Sequence, residues 1–354
     1  MTGPRSSDKQ RVTYSFRSRE RGVPASRIRF RCAIDNARLH ACRRRLSVTL
    51  AVGRHTIRVQ AVDPRGRRSR TTTVRVRILE PRAPEVRVGA APLNVIAAGD
   101  TLWTENYGDG TVSAIDGASR AVRSIGVGGQ PGGIAYGAGS IWVSDLSSGV
   151  LTRLDTAGRI LARIELGGAG AGIAVAGNVV YVADYRGGLT RVDAATHQIL
   201  GRTALPGTPE AVAVGFGFVW VTNGNGTVSM LDPLTGAVEG APIAVGDDVD
   251  DVAVASDGVW VVSLYGKVLA RIDPATRHIA TRIPTAGQAS GVLVTADSVW
   301  VANYDLATVS RMSRGSSRIV HTYRVGRQPR GLAEAAGAIW VANQASSSVS
   351  RIAL

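Results

Sequence analysis

An aromatic residue that returns every 39 or 40 positions constrains this chain more than any other feature. It stands at positions 103, 142, 181, 220, 260, 300 and 340, as Trp in six copies and as Tyr181 in one, and these copies contain every Trp of the chain. Each copy lies in a short apolar run, such as residues 141–144 or 299–302. A fixed period of this length is typical of a repeat architecture. The strands predicted for one copy, repeated along the chain, therefore predict the fold.

One copy contains four short segments with the two-residue alternation of β-strands. In the fourth copy these segments are residues 209–214, 218–222, 226–231 and 242–245, and Gly-rich or Asn-Gly turns separate them. Four antiparallel strands in about 40 residues predict the blade of a β-propeller, because a parallel β-helix has a much shorter repeat. Seven copies therefore predict an all-β fold with seven four-stranded blades.

The two ends of the repeat region suggest how the ring closes. The last copy stops in its third strand, at residues 348–353, and lacks a fourth. Residues 85–89 precede the first copy and match the ends of other copies, such as residues 125–128 and 323–326. We predict that residues 85–90 complete the C-terminal blade, which would remove an exposed sheet edge.

Three motifs carry a family resemblance for the repeat region. Residues 139–143 (Gly-Ser-Ile-Trp-Val), 231–236 (Leu-Asp-Pro-Leu-Thr-Gly) and 325–331 (Val-Gly-Arg-Gln-Pro-Arg-Gly) resemble the YVTN/YncE-like bacterial propeller repeats, which are related to NHL and streptogramin-lyase propellers. The resemblance covers residues 85–354 and implies a seven-bladed propeller. Such propellers serve in binding, in scaffolding and in a few enzymes, so the resemblance does not name a function.

The first quarter of the chain differs sharply in composition. Residues 1–84 carry 22 of the 42 Lys and Arg residues but only 5 of the 27 Asp and Glu residues, so they hold the whole excess of the +15 net charge. Arg alternates with Val, Ile or Phe in strand-like runs such as residues 27–32 and 73–78, which predicts sheets with one buried and one solvated face. We expect a basic module at 1–79, a stiff linker at 80–84 and the propeller at 85–354.

The two cysteines, Cys32 and Cys42, are consistent either with a small disulfide loop in an exported protein or with two thiols in the cytosol. Residues 30–35, 41–42 and 53–63 resemble a short Ig-like domain of exported proteins from high-GC bacteria. That resemblance implies a Cys32–Cys42 disulfide. It also implies that the first strand is missing, since Gly3 and Pro4 match its end. We therefore expect a truncated start, and the absence of a signal peptide at the N-terminus does not argue against export.

The basic surplus suggests a partner for this module. Arginines at 43–45 and between 65 and 70 could grip an anionic cell-envelope polymer. The alternative is a solvated, Arg-coated sandwich without a partner. Because the chain has no nucleic-acid-binding motif and no aromatic residues among these arginines, sequence-specific binding of nucleic acid is not expected.

Propeller ligands usually bind where loops meet at one mouth of the central channel. On this top face we expect a ligand site for a protein, peptide or glycan, built from Glu105, Tyr107, Tyr185, Arg186, Glu210, Tyr304 and Arg330. The three tyrosines would form a partial aromatic ring suited to stacking. The alternative for the Asn or Asp that follows each second strand is a turn cap.

The loop into the fifth blade contains four aspartates, Asp247, Asp248, Asp250 and Asp251. Clustered carboxylates repel one another unless a hard cation or an Arg lies between them, so a Ca²⁺ or Mg²⁺ site is one interpretation. A hydrated acidic loop is the other. No further cofactor is expected.

Two functions remain open. The favoured one is a non-enzymatic, exported or cell-surface binding or scaffold protein. The alternative is a Mg²⁺-dependent lyase similar to streptogramin B (virginiamycin B) lyase. Residues 103–105 resemble the repeats of that family. Those enzymes use a His near the channel, whereas the histidines here, at 40, 55, 197, 278 and 321, fall outside the predicted inner strands and top loops.

No transmembrane segment is expected, because the longest uncharged runs, 124–144 and 211–231, are Gly-rich and in phase with the repeat.

Overall fold

The computed structural model describes residues 1–7, 9–19, 21–315 and 318–354. The chain divides into two compact units, Met1–Arg82 and Ala83–Leu354. Both are built from strands, and the described segments include two short 3-10 turns at Ala25–Arg27 and Gln344–Ser346. Within these segments no helix has the length and apolar character needed to cross a membrane.

The described part of the first unit forms two sheets. Its strands are β1 (Ser6–Ser7), β2 (Arg11–Ser15), β3 (Arg29–Ile34), β4 (His40–Cys42), β5 (Arg45–Thr49), β6 (Gly53–Val62) and β7 (Thr72–Ile78). One sheet has the order β1-β7-β6-β3-β4, in which β1 runs parallel to β7, and the other pairs β2 with β5. A disulfide joins Cys32 in β3 to Cys42 in β4, with their Cα atoms 5.8 Å apart.

The alternating sequence of this unit explains its core. In β7 the side chains of Val76 and Ile78 are buried, whereas Arg75 and Arg77 between and beside them are exposed. Val76 and Ile78 pack in a single cluster with Tyr14 and other residues of the facing sheet. Arginine at every second position is therefore the solvated face of a strand whose other face is buried.

The second unit is a ring of four-stranded sheets, and its described residues form seven such blades. Each blade runs outward from an inner strand. Blades 1–3 are β9 (Ile96–Ala98), β10 (Thr101–Asn106), β11 (Thr111–Asp116), β12 (Val122–Gly126); β13 (Pro131–Gly137), β14 (Ser140–Asp145), β15 (Val150–Leu154), β16 (Ile160–Glu165); and β17 (Gly170–Ala176), β18 (Val179–Asp184), β19 (Gly188–Asp193), β20 (Ile199–Ala204). Blades 4 and 5 are β21 (Pro209–Gly215), β22 (Phe218–Asn223), β23 (Thr227–Leu231), β24 (Ile243–Ala244); and β25 (Val249–Ala255), β26 (Gly258–Ser263), β27 (Val268–Asp273), β28 (His278–Pro284). Blades 6 and 7 are β29 (Ala289–Val294), β30 (Ser298–Asn303), β31 (Thr308–Ser313), β32 (Ile319–Arg324); and β33 (Pro329–Ala335), β34 (Ala338–Asn343), β35 (Ser348–Ala353), β8 (Glu85–Arg87).

The repeated aromatic residue lies in the second strand of each blade and is buried in all seven copies. Trp142, for example, is fully buried and packs with Ile173 and Val180 of the next blade, so it fills the space between blades. Its indole N–H donates to the carbonyl of Gly137, 3.1 Å away. Arg153 lies directly opposite on the third strand, with its guanidinium carbon 5.2 Å from the ring centroid. Replacing a buried Trp by Ala typically costs ~3–5 kcal/mol, which explains why this position sets the period.

The predicted closure of the ring is confirmed. Strand β8 pairs antiparallel with β35, placing Val86 opposite Val349. Val86 packs with Trp340 of its own blade and with Leu102 of blade 1. The inner strands of neighbouring blades contact one another around the ring, including β33 with β9. Strand β8, the first strand of the second unit, therefore supplies the outer edge of blade 7.

Candidate functional site

A cavity of about 700 Å³ lies on the axis of the propeller, enclosed by the inner strands. Each blade contributes to its wall through the first residues of its inner strand or the segment leading into it. In blades 2–7 the pairing of the first and second strands shifts register at this point, as it does between Pro131 and Gly133. Irregularities of this kind change the direction of the side chains that they carry, and in these blades residues around the shift line the cavity.

Glycines at these positions of blades 2, 3, 6 and 7 let neighbouring inner strands approach closely. A Cβ atom on Gly133 would overlap the carbonyl oxygen of Ala171, and one on Gly172 would overlap the carbonyl oxygen of Glu210. Only glycine allows such contact between neighbouring inner strands. The backbones of neighbouring inner strands therefore lie in close contact at these points of the wall.

At one equivalent position of the seven blades, the lining residue has a different character on the two sides of the ring. Around the ring, the seven equivalent residues are Leu93, Gly132, Ala171, Glu210, Asp250, Ser290 and Arg330. Blades 1–3 thus supply an apolar arc, Leu93, Gly132 and Ala171, and blades 4–7 supply a charged arc, Glu210, Asp250, Ser290 and Arg330. The cavity therefore has two chemically distinct walls.

Arg330, contributed by blade 7, is the positively charged member of the charged arc. Its Nη1 lies 3.6 Å from Oδ1 of Asp250, and its Nε donates to Oε1 of Gln344 at 3.1 Å. The guanidinium also lies over the ring of Tyr304, 5.5 Å from its centroid. Although burial acts in the opposite direction, Asp250, Tyr304 and the neighbouring carboxylates raise the pKa of Arg330 further, so it stays charged.

The carboxyl groups around Arg330 outnumber it. Glu210 interacts with Asp250, and burial together with the negative charges of Asp250 and Asp248 raises the pKa of Glu210 well above its ordinary value, although Arg330 acts against this. Burial and the charge of Asp250 likewise raise the pKa of Asp248. Asp250 itself is 8% exposed, and its Oδ2 is buried without a hydrogen-bond partner among the described residues.

Two further acidic side chains near the axis are held by the fold. Asp251 accepts hydrogen bonds from the backbone N–H groups of Val252 at 2.8 Å and Val292 at 2.9 Å, so it links blades 5 and 6, and burial raises its pKa to about 7. Glu105 is fully buried, and its Oε1 accepts from both nitrogens of Asn94, which lines the cavity. Burial raises the pKa of Glu105 to about 8, and its Oε2 has no hydrogen-bond partner in the described residues.

The tyrosines predicted to form a partial ring occupy different environments. Tyr107 and Tyr185 line the cavity, and Tyr185 is 45% exposed. Burial and the charges of Glu210 and Asp248 raise the pKa of Tyr185. Tyr304 packs on Arg330 instead. Arg186 is exposed, and its backbone N–H donates to Asp184.

The four aspartates of the blade 5 loop have separate surroundings. Asp247 is exposed, Asp248 is half-buried, and Asp250 and Asp251 line the cavity at successive positions of β25. Among the described residues, no three acidic, His or Cys side chains form a group that could hold a metal ion. The histidines lie elsewhere, since His197 packs against Trp142 and His278 and His321 belong to outer strands.

The structure also brings in residues that the sequence did not single out. Gln344 and Ser290 both line the cavity, and Ser290 donates to the carbonyl of Pro329 in blade 7 at 2.6 Å. Superimposing the repeats would have found Ser290, because it is equivalent to Glu210 and Asp250. At the end of the second strands, Asn223 donates to Ser229 of the neighbouring strand, whereas the equivalent Asp145 accepts from the backbone of its own turn.

Comparisons with known proteins agree on the architecture. Residues 147–239 match a family model described as outer membrane protein assembly factor BamB. The chain is similar in structure to the hydrazine synthase of Kuenenia stuttgartiensis, with a TM-score of 0.67 and 17% identity over 75% of this chain and 96% of that chain. The WD40 β-propeller domain of Doa1 has a TM-score of 0.66 and 13% identity, over 77% of this chain and 95% of that chain. No curated protein matches the sequence. At these identities the likeness shows the fold alone, which is a β-propeller of four-stranded blades.

Proposed function

We propose that this protein is a non-enzymatic binding or scaffold protein of the bacterial cell envelope or exterior, which holds a protein, peptide or glycan at the mouth of its central cavity. The observation that carries the proposal is the cavity itself. Its volume of about 700 Å³ lies in the range of ligand sites, and the charged arc presents polar side chains from four consecutive blades on a tight wall.

Two observations support a location in the envelope or outside the cell. Residues 147–239 match the family described as an outer membrane protein assembly factor. The disulfide between Cys32 and Cys42 is of the kind that persists in oxidising compartments and is rare in the cytosol. Both favour export.

The strand order of the first unit supports an Ig-like module. The neighbours β7-β6-β3 correspond to strands G, F and C of an Ig sandwich, and the pair β2 and β5 corresponds to strands B and E. Exposed arginines at 43–45 and 65–70 cover part of this unit. We assign to it a non-specific attraction to an anionic envelope polymer.

Binding is favoured over lyase chemistry by the composition of the cavity wall. The resemblance to streptogramin lyases implies a His near the channel together with metal-binding acids. In the described chain the residues that line the cavity include no His, and the carboxyls there are arranged around Arg330.

The test is binding of the labelled full chain to arrays of peptides and of envelope glycans. Replacing both Tyr107 and Tyr185 by Ala should abolish the array signal, because these rings line the cavity, and should leave the melting temperature unchanged. The matched control is Tyr265→Ala, an exposed ring in the corresponding turn of blade 5 that does not line the cavity. Signals that survive the double change, or turnover of a streptogramin B in the presence of Mg²⁺, would overturn the proposal.

A further inference from the structure

We propose that the charged arc recognises an organic cation, a primary alkylammonium or alkylguanidinium group, which Glu210, Asp248 and Asp250 bind beside Arg330 while the alkyl chain lies along the apolar arc. The inference rests on the proposed function, since it names the ligand class of the same cavity.

The first support is a buried acceptor that lacks an N–H donor. Asp250 lines the cavity and is 8% exposed, and its Oδ2 accepts no hydrogen bond from an N–H group of the described residues; in the empty cavity the neighbouring carboxyl that hydrogen-bonds to Asp250 is that of protonated Glu210. A buried acceptor without an N–H donor destabilises the protein, and more so when it carries charge. A ligand N–H donor that reaches this oxygen removes that destabilisation on binding.

The second support is the balance of charge. Arg330 is the sole cation among the described residues that line the cavity, whereas Glu210, Asp250 and Asp251 line it with carboxyls and Asp248 stands close by. Arg330 does not neutralise all of these groups, because its Nε donates a hydrogen bond to Gln344 and its Nη1 lies 3.6 Å from Asp250. Glu210 is protonated while the cavity is empty, and a second positive charge beside it would allow it to ionise.

The shape and composition of the cavity select an organic cation over a metal ion. A volume of about 700 Å³ far exceeds an ion, and no three acidic, His or Cys side chains of the described residues form a metal-holding group. Opposite the carboxyls, Leu93, Gly132 and Ala171 form an apolar surface that an alkyl chain can cover. Tyr185 lines the mouth beside Glu210, and tyrosine faces attract ammonium groups.

The crowding of carboxyls predicts how binding depends on pH. Glu210 faces Asp250, Asp248, Arg330 and Tyr185, and its raised pKa means that it holds a proton at neutral pH while the cavity is empty. A bound cation stabilises the ionised form and expels that proton. Affinity should consequently rise with pH through the neutral range, with net proton release.

The experiment is titration calorimetry of the full chain at several pH values and in buffers of different ionisation enthalpy. The probes are n-pentylammonium, n-pentanol, pentanoate, Ca²⁺, and a blocked peptide with one central Lys or acetyl-Lys. We expect pentylammonium and the Lys peptide to bind, with proton release, and pentanol, pentanoate and the acetyl-Lys peptide to bind at least tenfold more weakly. Tighter binding of the Lys peptide than of pentylammonium would identify a protein as the source of the cation, and the reverse would identify a free amine.

Asp250→Asn should weaken pentylammonium binding at least tenfold, and Asp247→Asn is the matched control, because Asp247 is an exposed residue of the same loop that does not line the cavity. Equal affinities of the two variants, equal binding of pentanol and pentylammonium, preference for Ca²⁺, or no binding of any amine would overturn the inference. The pH titration of the unmodified protein tests it without relying on a variant. A neutral or anionic glycan that binds on the array and loses binding with the tyrosine changes would uphold the proposed function while refuting the cation.

Discussion

The hydroxyl of Ser348 in the last strand donates a hydrogen bond to the carboxylate of Glu85, 2.5 Å away, although 263 residues separate them in the chain. Beside this pair, the backbone of β8 pairs with β35 and Val86 enters the core between blades 7 and 1. The ring is thus held closed by the first and last strands of the propeller.

Removing β8 should open the ring. A chain that begins at residue 88 exposes the edge of β35, and we expect it to aggregate or to melt roughly 10 °C or more below a chain that begins at residue 81. The longer truncation is the matched control, because it retains β8 and lacks only the first unit. Circular dichroism melts and size-exclusion chromatography measure both. Equal melting temperatures would contradict the closure.

The buried carboxyl of Glu105 should make the propeller less stable as pH rises. Its folded pKa of about 8 lies above the unfolded value, so the folded state binds more protons between these values. The free energy of unfolding then falls with rising pH across this interval, and the contribution of protonated Glu105 is complete only below it. Glu105→Gln should flatten the dependence of the melting temperature on pH between about 5 and 8. It should also raise the melting temperature at pH 8.

Asp100→Asn provides a control for Glu105→Gln, since Asp100 is an exposed acid just before the same strand, β10. This change should leave the slope against pH as it is in the unmodified protein. Asp251 and Glu210 also have raised pKa values, so part of the slope should remain in Glu105→Gln. An unchanged slope in Glu105→Gln would refute this assignment.

Reduction should destabilise the first unit selectively. The Cys32–Cys42 bridge closes a loop of 10 residues, for which chain entropy predicts a contribution of about 3 kcal/mol. A reductant should lower the unfolding temperature of the fragment 1–82 and leave that of the fragment 81–354 unchanged. The double change Cys32→Ala and Cys42→Ala should abolish the response to reductant. Intact mass should increase by two hydrogens on reduction, and free thiols in protein produced in an oxidising compartment would contradict the pairing.

The arginines of the first unit should bind anionic polymer in a salt-dependent way. Changing residues 43–45 to serine should weaken the affinity for a poly(glycerol phosphate) and make the slope of log affinity against log salt shallower by ~0.7–0.9 for each lost phosphate contact. Serine at Arg120, Arg202 and Arg318, exposed arginines of the propeller, is the control and should have little effect. Similar losses in both variants would show a general charge effect.

The sequence was sufficient to predict the propeller, because one residue in each repeat has the same surroundings. Trp103 and its equivalents are all buried at the same point of the second strand, so their spacing reports the blade directly. Val86 was predictable for the same reason, since residues 85–89 repeat the pattern of other outer strands. Local similarity carries this information, and no knowledge of long-range contacts is needed.

The arrangement inside the cavity was not predictable, because it depends on contacts between different blades. Tyr304 packs on Arg330 of the next blade, and Asp251 bonds to Val292, about one repeat away in the chain. The aspartate loop illustrates the difficulty, since Asp250 and Asp251 are neighbours in β25 yet have different partners. Both line the cavity, but the register shift between Val249 and Asp251 breaks the alternation of the strand there, so the sequence could not show which partner each carboxylate meets.

The pairing of β8 with β35 also sets an order of events during synthesis. Residue 85 leaves the ribosome long before its partner at 348, and at ~5–20 residues per second the 263 residues from 86 to 348 take roughly 13–50 s to translate. Throughout that interval the nascent propeller is an incomplete arc whose leading strand has nothing to pair with. Any cellular factor that shields this strand would act before the last blade emerges, and its action would end when the ring closes.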